Sequence, residues 1–115
     1  MSNVLITVAY VLVGLGFGGL GVPLALGRVP PNGTYGFRTR KTRSSAEVWY
    51  AANRVQGIDL CVGGVLIAAL TVALYVLWPS APASQLVLLD GGIMLAALGV
   101  VVAHGFLALG RMRSG

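Results

Sequence analysis

The chain is poor in the residues from which most catalytic and metal centres are built. Its 115 residues include one cysteine, one histidine and three acidic residues, namely Cys61, His104, Glu47, Asp59 and Asp90. A lone cysteine closes no internal disulfide, and Cys61, set in an apolar run, reads as a small packing residue. One histidine without a cysteine cluster falls short of the three or four ligands of a zinc site and makes a weak case for haem. The sequence has no Ser-His-Asp spacing, no paired acids suited to hydrolysis and no Walker loop, so neither catalysis nor a bound metal or cofactor is expected. Charge is scarce as well. Only 10% of residues are charged and 57% are hydrophobic, with a mean hydropathy of +0.86, which leaves too little polar surface to cover a soluble globule of this size.

What the chain does have is three apolar runs, residues 4–26, 58–78 and 86–109. Each is long enough to cross a hydrocarbon core of about 30 Å at about 1.5 Å per helical residue. The expected fold is an all-α membrane protein forming a single domain over residues 1–115. It has three transmembrane helices and a short amphipathic helix in a cytoplasmic first loop, residues 28–57. The eight Lys and Arg residues fall in two places: Arg28, Arg38, Arg40, Lys41, Arg43 and Arg54 around the first connection, and Arg111 and Arg113 in the C-terminal tail. The second connection, residues 79–85, has none. With three spans, the positive-inside rule gives one consistent topology, with the N-terminus outside and the C-terminus in the cytoplasm. The net charge of +5 is then a cytoplasmic-face charge that attracts anionic lipid headgroups. Nucleic acid is not an expected partner, because no recognition module surrounds the charge. The first span lacks a preceding basic stretch and is longer than a signal peptide core, so it is expected to be retained.

Gly14, Gly16, Gly18, Gly19 and Gly21 crowd the first span. The run GLGFGG matches a dinucleotide-binding pattern formally, yet it lacks the strand and accessible helix start that such a site needs. Close helix packing is the expected use, through Gly14 with Gly18, Gly64 with Ala68 and Gly92 with Ala96. Pro23 is expected to kink the first span. In the loop, Pro30 and Pro31 followed by Asn32-Gly33 predict an extended segment and a turn. Ser44-Ser45-Ala46-Glu47 reads as a capping box starting the amphipathic helix, and Gly57 as an elbow into the second span. Tyr75 and Trp78 suit the outer aromatic belt. Asp90, inside the third helix, is expected to be held by Tyr10 or Tyr75.

The stretch PPNGTYGFRTRKTRSSAEVWYAANRVQG, residues 30–57, concentrates charge, hydrogen-bonding groups and aromatics on an otherwise apolar chain. It resembles the signature of the SdpI family of bacterial membrane proteins through Pro31, Asn32, Tyr35, Gly36, Arg38, Thr39, Thr42, Ser45, Glu47, Trp49, Asn53, Arg54 and Gly57. The chain reads as the three-span signature module of that family. The resemblance implies a membrane-embedded protein of toxin immunity or signal transduction, acting by binding, with a peptide toxin or another membrane protein as partner. Two other readings are a structural accessory subunit or homo-oligomeric packing module, and a small transporter. For the transporter reading, a central coupling carboxylate is missing, since Asp59 and Asp90 sit toward the span ends.

The binding residues expected in the loop are Asn32, Tyr35, Gly36, Arg38, Thr39, Thr42, Glu47, Trp49, Asn53 and Arg54. Arg38, beside Gly36, offers an unobstructed guanidinium fork to an anion or carbonyl, and its competing role is an ion pair with Glu47. Asn32 and Asn53 suit turn and helix–loop hydrogen bonds. Arg38, Thr39, Glu47, Trp49, Asn53 and Arg54 are expected to converge against the inner ends of the helices. Asp59 and His104 fall at comparable depth in spans two and three, where facing one another spares each a lipid-exposed charge.

Overall fold

The computed structural model describes residues 2–112 as three helices, α1 (Asn3–Ala25), α2 (Ala46–Leu77) and α3 (Ala83–Gly110), joined by a long and a short connection. Among the described residues there is no strand. Arg113, counted above with the basic tail, lies outside them. All three helices are long and apolar enough to cross a membrane. The molecule is 54 Å long and 22 Å by 19 Å across, so it extends beyond a hydrocarbon core of about 30 Å. The excess is at the end that carries the first loop.

The contact between α1 and α2 is made at backbone level. A Cβ added to Gly14 would stand 2.5 Å from the Gly64 carbonyl oxygen, and one added to Gly21 would stand 2.5 Å from that of Gly57. Both steps are seven residues in opposite directions, so the antiparallel helices keep one register across two turns. Gly64 seats between Gly14 and Gly18, an added Cβ there standing 2.2 Å from the Gly14 carbonyl oxygen and 2.9 Å from the Gly18 nitrogen, so the face runs from Gly14 through Gly18 to Gly21. A Cβ on Gly18 would meet nothing within 4 Å, and the same is true of Gly92 on α3. Cys61 fills the same seam, its thiol 3.5 Å from the Gly18 carbonyl oxygen.

This seam also explains a departure from the expected layout. The segment read as a separate amphipathic helix is the first three turns of α2, which runs unbroken through Gly57. Gly57 is buried and lets α1 approach, its added Cβ meeting Leu24 and Gly21 backbone atoms; close packing, and not a bend, is what the missing side chain provides. Pro23 lies within α1. Just beyond it, α1 stops at Ala25 in a Schellman motif. Gly27 adopts φ +69°, its N–H donates to Leu24 and that of Arg28 donates to the Pro23 carbonyl.

The third helix is fastened at its two ends. At the short-turn end Leu86 is buried with Ile6 and Ala81, against Tyr10 and Leu74, and the Asn3 side-chain amide donates to the Ala81 carbonyl at 2.8 Å. At the loop end Leu109 is buried with Val48 and Ala52, against Phe37 and Met112. Between these anchors α2 and α3 leave an apolar groove of about 430 Å³, lined by Val62, Leu66, Leu70, Ile93 and Val100 among others.

The glycine seam predicts an asymmetric mutational response. Gly64→Ala should cost about 1–3 kcal/mol as an overpacked contact, read as a lowered unfolding temperature in detergent. Gly16→Ala points into open space and should change stability by no more than about 0.5 kcal/mol.

Candidate functional site

The first connection is folded onto the helices by hydrogen bonds from a few of its side chains and turns. Asn32 closes the opening turn: its Oδ1 accepts from the N–H groups of Thr34 at 2.9 Å and Tyr35 at 2.7 Å, and its Nδ2 donates to the Pro30 carbonyl at 2.8 Å. The Tyr35 hydroxyl donates to the Leu20 carbonyl, pinning the turn to α1. Burial pushes the Tyr35 phenol above its ordinary pKa. Thr39 and Thr42 brace a second turn reciprocally. The Thr39 N–H donates to the Thr42 hydroxyl at 2.7 Å, which in turn donates to the Thr39 carbonyl at 3.1 Å, and Thr42 is fully buried.

Asn53 is the link between this loop and α2. It is 2% exposed, and its Oδ1 accepts from the Phe37 N–H at 2.6 Å. Its Nδ2 donates to the Trp49 carbonyl at 3.0 Å and, at longer range, to the Phe37 carbonyl. A side-chain amide thus supplies the donor and acceptor that a neighbouring strand would give an extended backbone. Trp49, wholly enclosed, donates its indole N–H to the Val29 carbonyl at 2.8 Å. Gly36, at φ +112°, passes over both residues, and an added Cβ there would lie 2.7 Å from Asn53 Oδ1.

Helix α2 begins one residue later than the capping-box reading placed it. Ser45 is the N-cap, accepting from the Val48 N–H at 3.2 Å, while the Ser44 hydroxyl donates to Lys41. Ser44 is spent on closing the Thr turn, so Glu47 falls at the second helical position. There its charge complements the helix N-terminus without completing a box.

The exposed residues divide between two clefts. One, of about 320 Å³, opens between the loop and α3 and is lined by Phe37, Arg38, Thr39, Gln56, Val102 and Phe106. Its aromatic wall is an edge-to-face pair, with the Phe37 and Phe106 rings 5.1 Å apart at 77°. The other, of about 420 Å³, is lined by Leu26, Gly27, Tyr50, Ala51 and Arg54. The expected convergence is therefore partial. Trp49 and Asn53 form the buried core between loop and helix, Arg38 and Thr39 edge the first cleft, Arg54 edges the second, and Glu47 stands exposed on the first turn of α2. Arg38 does not pair with Glu47; its guanidinium donates to the Gly33 carbonyl. Gln56 and Phe106 were not singled out in the sequence, where a lone amide or an isolated aromatic on an apolar helix carries no mark of a cleft wall.

Asp59 and His104 are brought together. His104 Nδ1 lies 2.5 Å from Asp59 Oδ2, the sole contact of a basic side chain with a carboxylate among the described residues. With Asp59 ionised, Nδ1 is the donor. The pair closes the loop end of the α2–α3 groove.

A sequence model described as the SdpI/YfhL protein family matches residues 28–110, taking in the loop, α2 and α3. No curated protein matches the chain, and no solved structure does.

Removing the link tests the geometry. Asn53→Ala leaves the Phe37 N–H buried and unpaired and should cost about 1–3 kcal/mol, with faster proteolysis between Arg38 and Arg43. Ser45→Ala should cost about 1 kcal/mol through the lost cap. Glu47→Ala should cost less, within about 0.3–1 kcal/mol.

Proposed function

Because the chain belongs to the SdpI/YfhL family and is a multi-pass membrane protein, we propose that it acts by binding, without catalysis, in immunity to membrane-active peptides or in signal transduction. The observation that carries this reading is the display of cationic side chains from an ordered scaffold. Arg38, Arg40, Arg43 and Arg54 are exposed around a loop whose core, Trp49, Asn53 and Thr42, is sealed. A rigid scaffold loses less conformational entropy on association than a flexible linker would. The cleft beside Arg38 combines a guanidinium and a hydroxyl with an aromatic wall, which suits an amphiphilic segment carrying an anionic or carbonyl group.

The basic end is assigned to the cytoplasmic face of a bacterial inner membrane by the positive-inside rule, where anionic headgroups add to the attraction. A second reading, an accessory or self-associating packing subunit, is favoured by the glycines Gly16, Gly19, Gly92 and Gly99, which meet nothing within the chain.

Two measurements test the proposal. A reporter inserted at Ala81 should be active only outside the cytoplasm and one fused after Gly115 only inside it. Arg38→Ala and Arg54→Ala should express normally and weaken the cell's response to membrane-active peptides by about ten-fold, equivalent to about 1.4 kcal/mol of binding. Full protection by both well-expressed variants would remove the loop as the binding surface.

A further inference from the structure

Asp90 is fully enclosed, and neither of its carboxyl oxygens has a hydrogen-bond partner. The Thr7 hydroxyl is likewise buried without a partner. The packing registers bring these groups to one level. The seven-residue step that pairs Gly21 with Gly57 and Gly14 with Gly64 next pairs Thr7 with Thr71, and both are buried. On the other side of α2, Asp59 meets His104 and Gly63 packs against Val101. Continued along the antiparallel pair, that register sets Asp90 opposite the turn of α2 that contains Thr71 and Leu74. Direct contacts bracket the same level, since Leu86, one turn before Asp90, packs with Ile6 and Leu74. Tyr10 of α1 reaches the Val87 carbonyl at 3.3 Å.

Nothing at this level neutralises a carboxylate. The Thr71 hydroxyl donates to the Ala68 carbonyl and the Tyr10 hydroxyl donates to Val87. Tyr75, the remaining titratable side chain on this part of α2, makes no hydrogen bond to Asp90. Every Arg and Lys among the described residues lies at the loop end, and His104 is engaged by Asp59. An ionised carboxylate enclosed among apolar helices without a counter-charge is strongly disfavoured, and neutralisation is the available remedy.

We propose that Asp90 is an intramembrane proton-binding site, its carboxyl carrying a proton in the resting protein, with Thr7 and Thr71 supplying the polar surroundings. The ligand is a proton, because the carboxyl is enclosed on all sides and a metal cation needs several oxygens gathered within bonding distance. Asp90 lies where α3 meets α1, next to the Ile6–Leu86 contact. Ionisation there puts charge into the contact that fastens α3, so deprotonation loosens α3 from α1. Asp90 lines neither of the two loop clefts.

The test uses the full-length protein in nanodiscs with Glu47→Gln and Asp59→Asn, which leaves Asp90 as the single side-chain carboxyl. The infrared C=O stretch of a protonated carboxyl should be present at neutral pH and absent once Asp90→Asn is added. In otherwise unaltered protein, thermal stability should fall as pH rises above the ordinary carboxylate range, where the unfolded chain has lost this proton and the folded chain keeps it, and Asp90→Asn should remove that part of the fall. Replacing choline with sodium in the buffer should leave the band unchanged. A carboxylate band at neutral pH overturns the proposal, and loss of the protonated band in sodium alone overturns it in favour of a metal cation. If Asp90→Asn does not fold, the band in the Asp90-only protein decides, and a shift of that band in Thr7→Val is the expected companion result.

Discussion

The architecture depends on how closely α1 and α2 approach at Gly14–Gly64 and Gly21–Gly57. In a bilayer, helices gain little from burying apolar surface against one another, because lipid is as apolar as the partner helix; close backbone contact and dispersion do the work instead. Two glycine pairs seven residues apart fix both the separation and the sliding register of the helices. The register then acts at a distance. At one end it sets Leu20 and Leu24 of α1 beside the first turns of α2, where Tyr35 bonds the Leu20 carbonyl and Gly36 crosses Trp49. At the other end it places Thr7 level with Thr71, producing the polar layer beneath the Ile6–Leu86 contact.

The two ends solve the problem of polar groups in opposite ways. At the loop end, buried polarity is saturated: the Asn53 amide serves both the Phe37 backbone and the Trp49 carbonyl, the Trp49 indole finds Val29, and Thr39 and Thr42 satisfy one another. Such a network is rigid because losing one partner leaves a desolvated group behind. At the short-turn end, Asp90 and Thr7 remain unpaired. The one end is built to hold a shape and the other to hold a charge-neutral state that a proton controls.

Much of this was legible in the sequence, and the misses share a cause. The three spans follow from hydropathy alone, because no other use exists for apolar runs of that length in so weakly charged a chain. The Asn32 turn follows from local chemistry, and the Asp59–His104 contact from the cost of leaving either group to lipid. What failed were positions with two plausible local uses. Gly57 is compatible with an elbow or with a close approach, and only the facing Gly21 decides for the latter. Ser44 and Ser45 can each cap a helix, and the preceding turn takes Ser44. Arg38 had a carboxylate within reach in sequence, yet the carbonyl of Gly33 is reached without ordering an exposed acidic side chain. Each alternative is settled by tertiary context that a local pattern does not carry.

The signature residues accordingly separate by what they touch. Gly36, Thr42, Trp49 and Asn53 are packed or bonded within the loop core, and their substitution is felt first as lost structure. Arg38 and Arg54 project from it toward two different clefts. A match to this signature therefore guarantees the scaffold more strongly than it specifies the partner. Recognition has to come from side chains the scaffold leaves exposed, together with residues outside the signature, such as Phe106 of α3, which completes the aromatic wall opposite Phe37. Since that wall is shared between the loop and α3, its shape depends on where α3 sits. The anchor at the loop end, Leu109 against Val48 and Ala52, holds α3 independently of the Ile6–Leu86 contact at the far end. A helix fastened at two separated points can be released at one and pivot at the other, so an event at the polar layer of Asp90 has a mechanical route to the cleft.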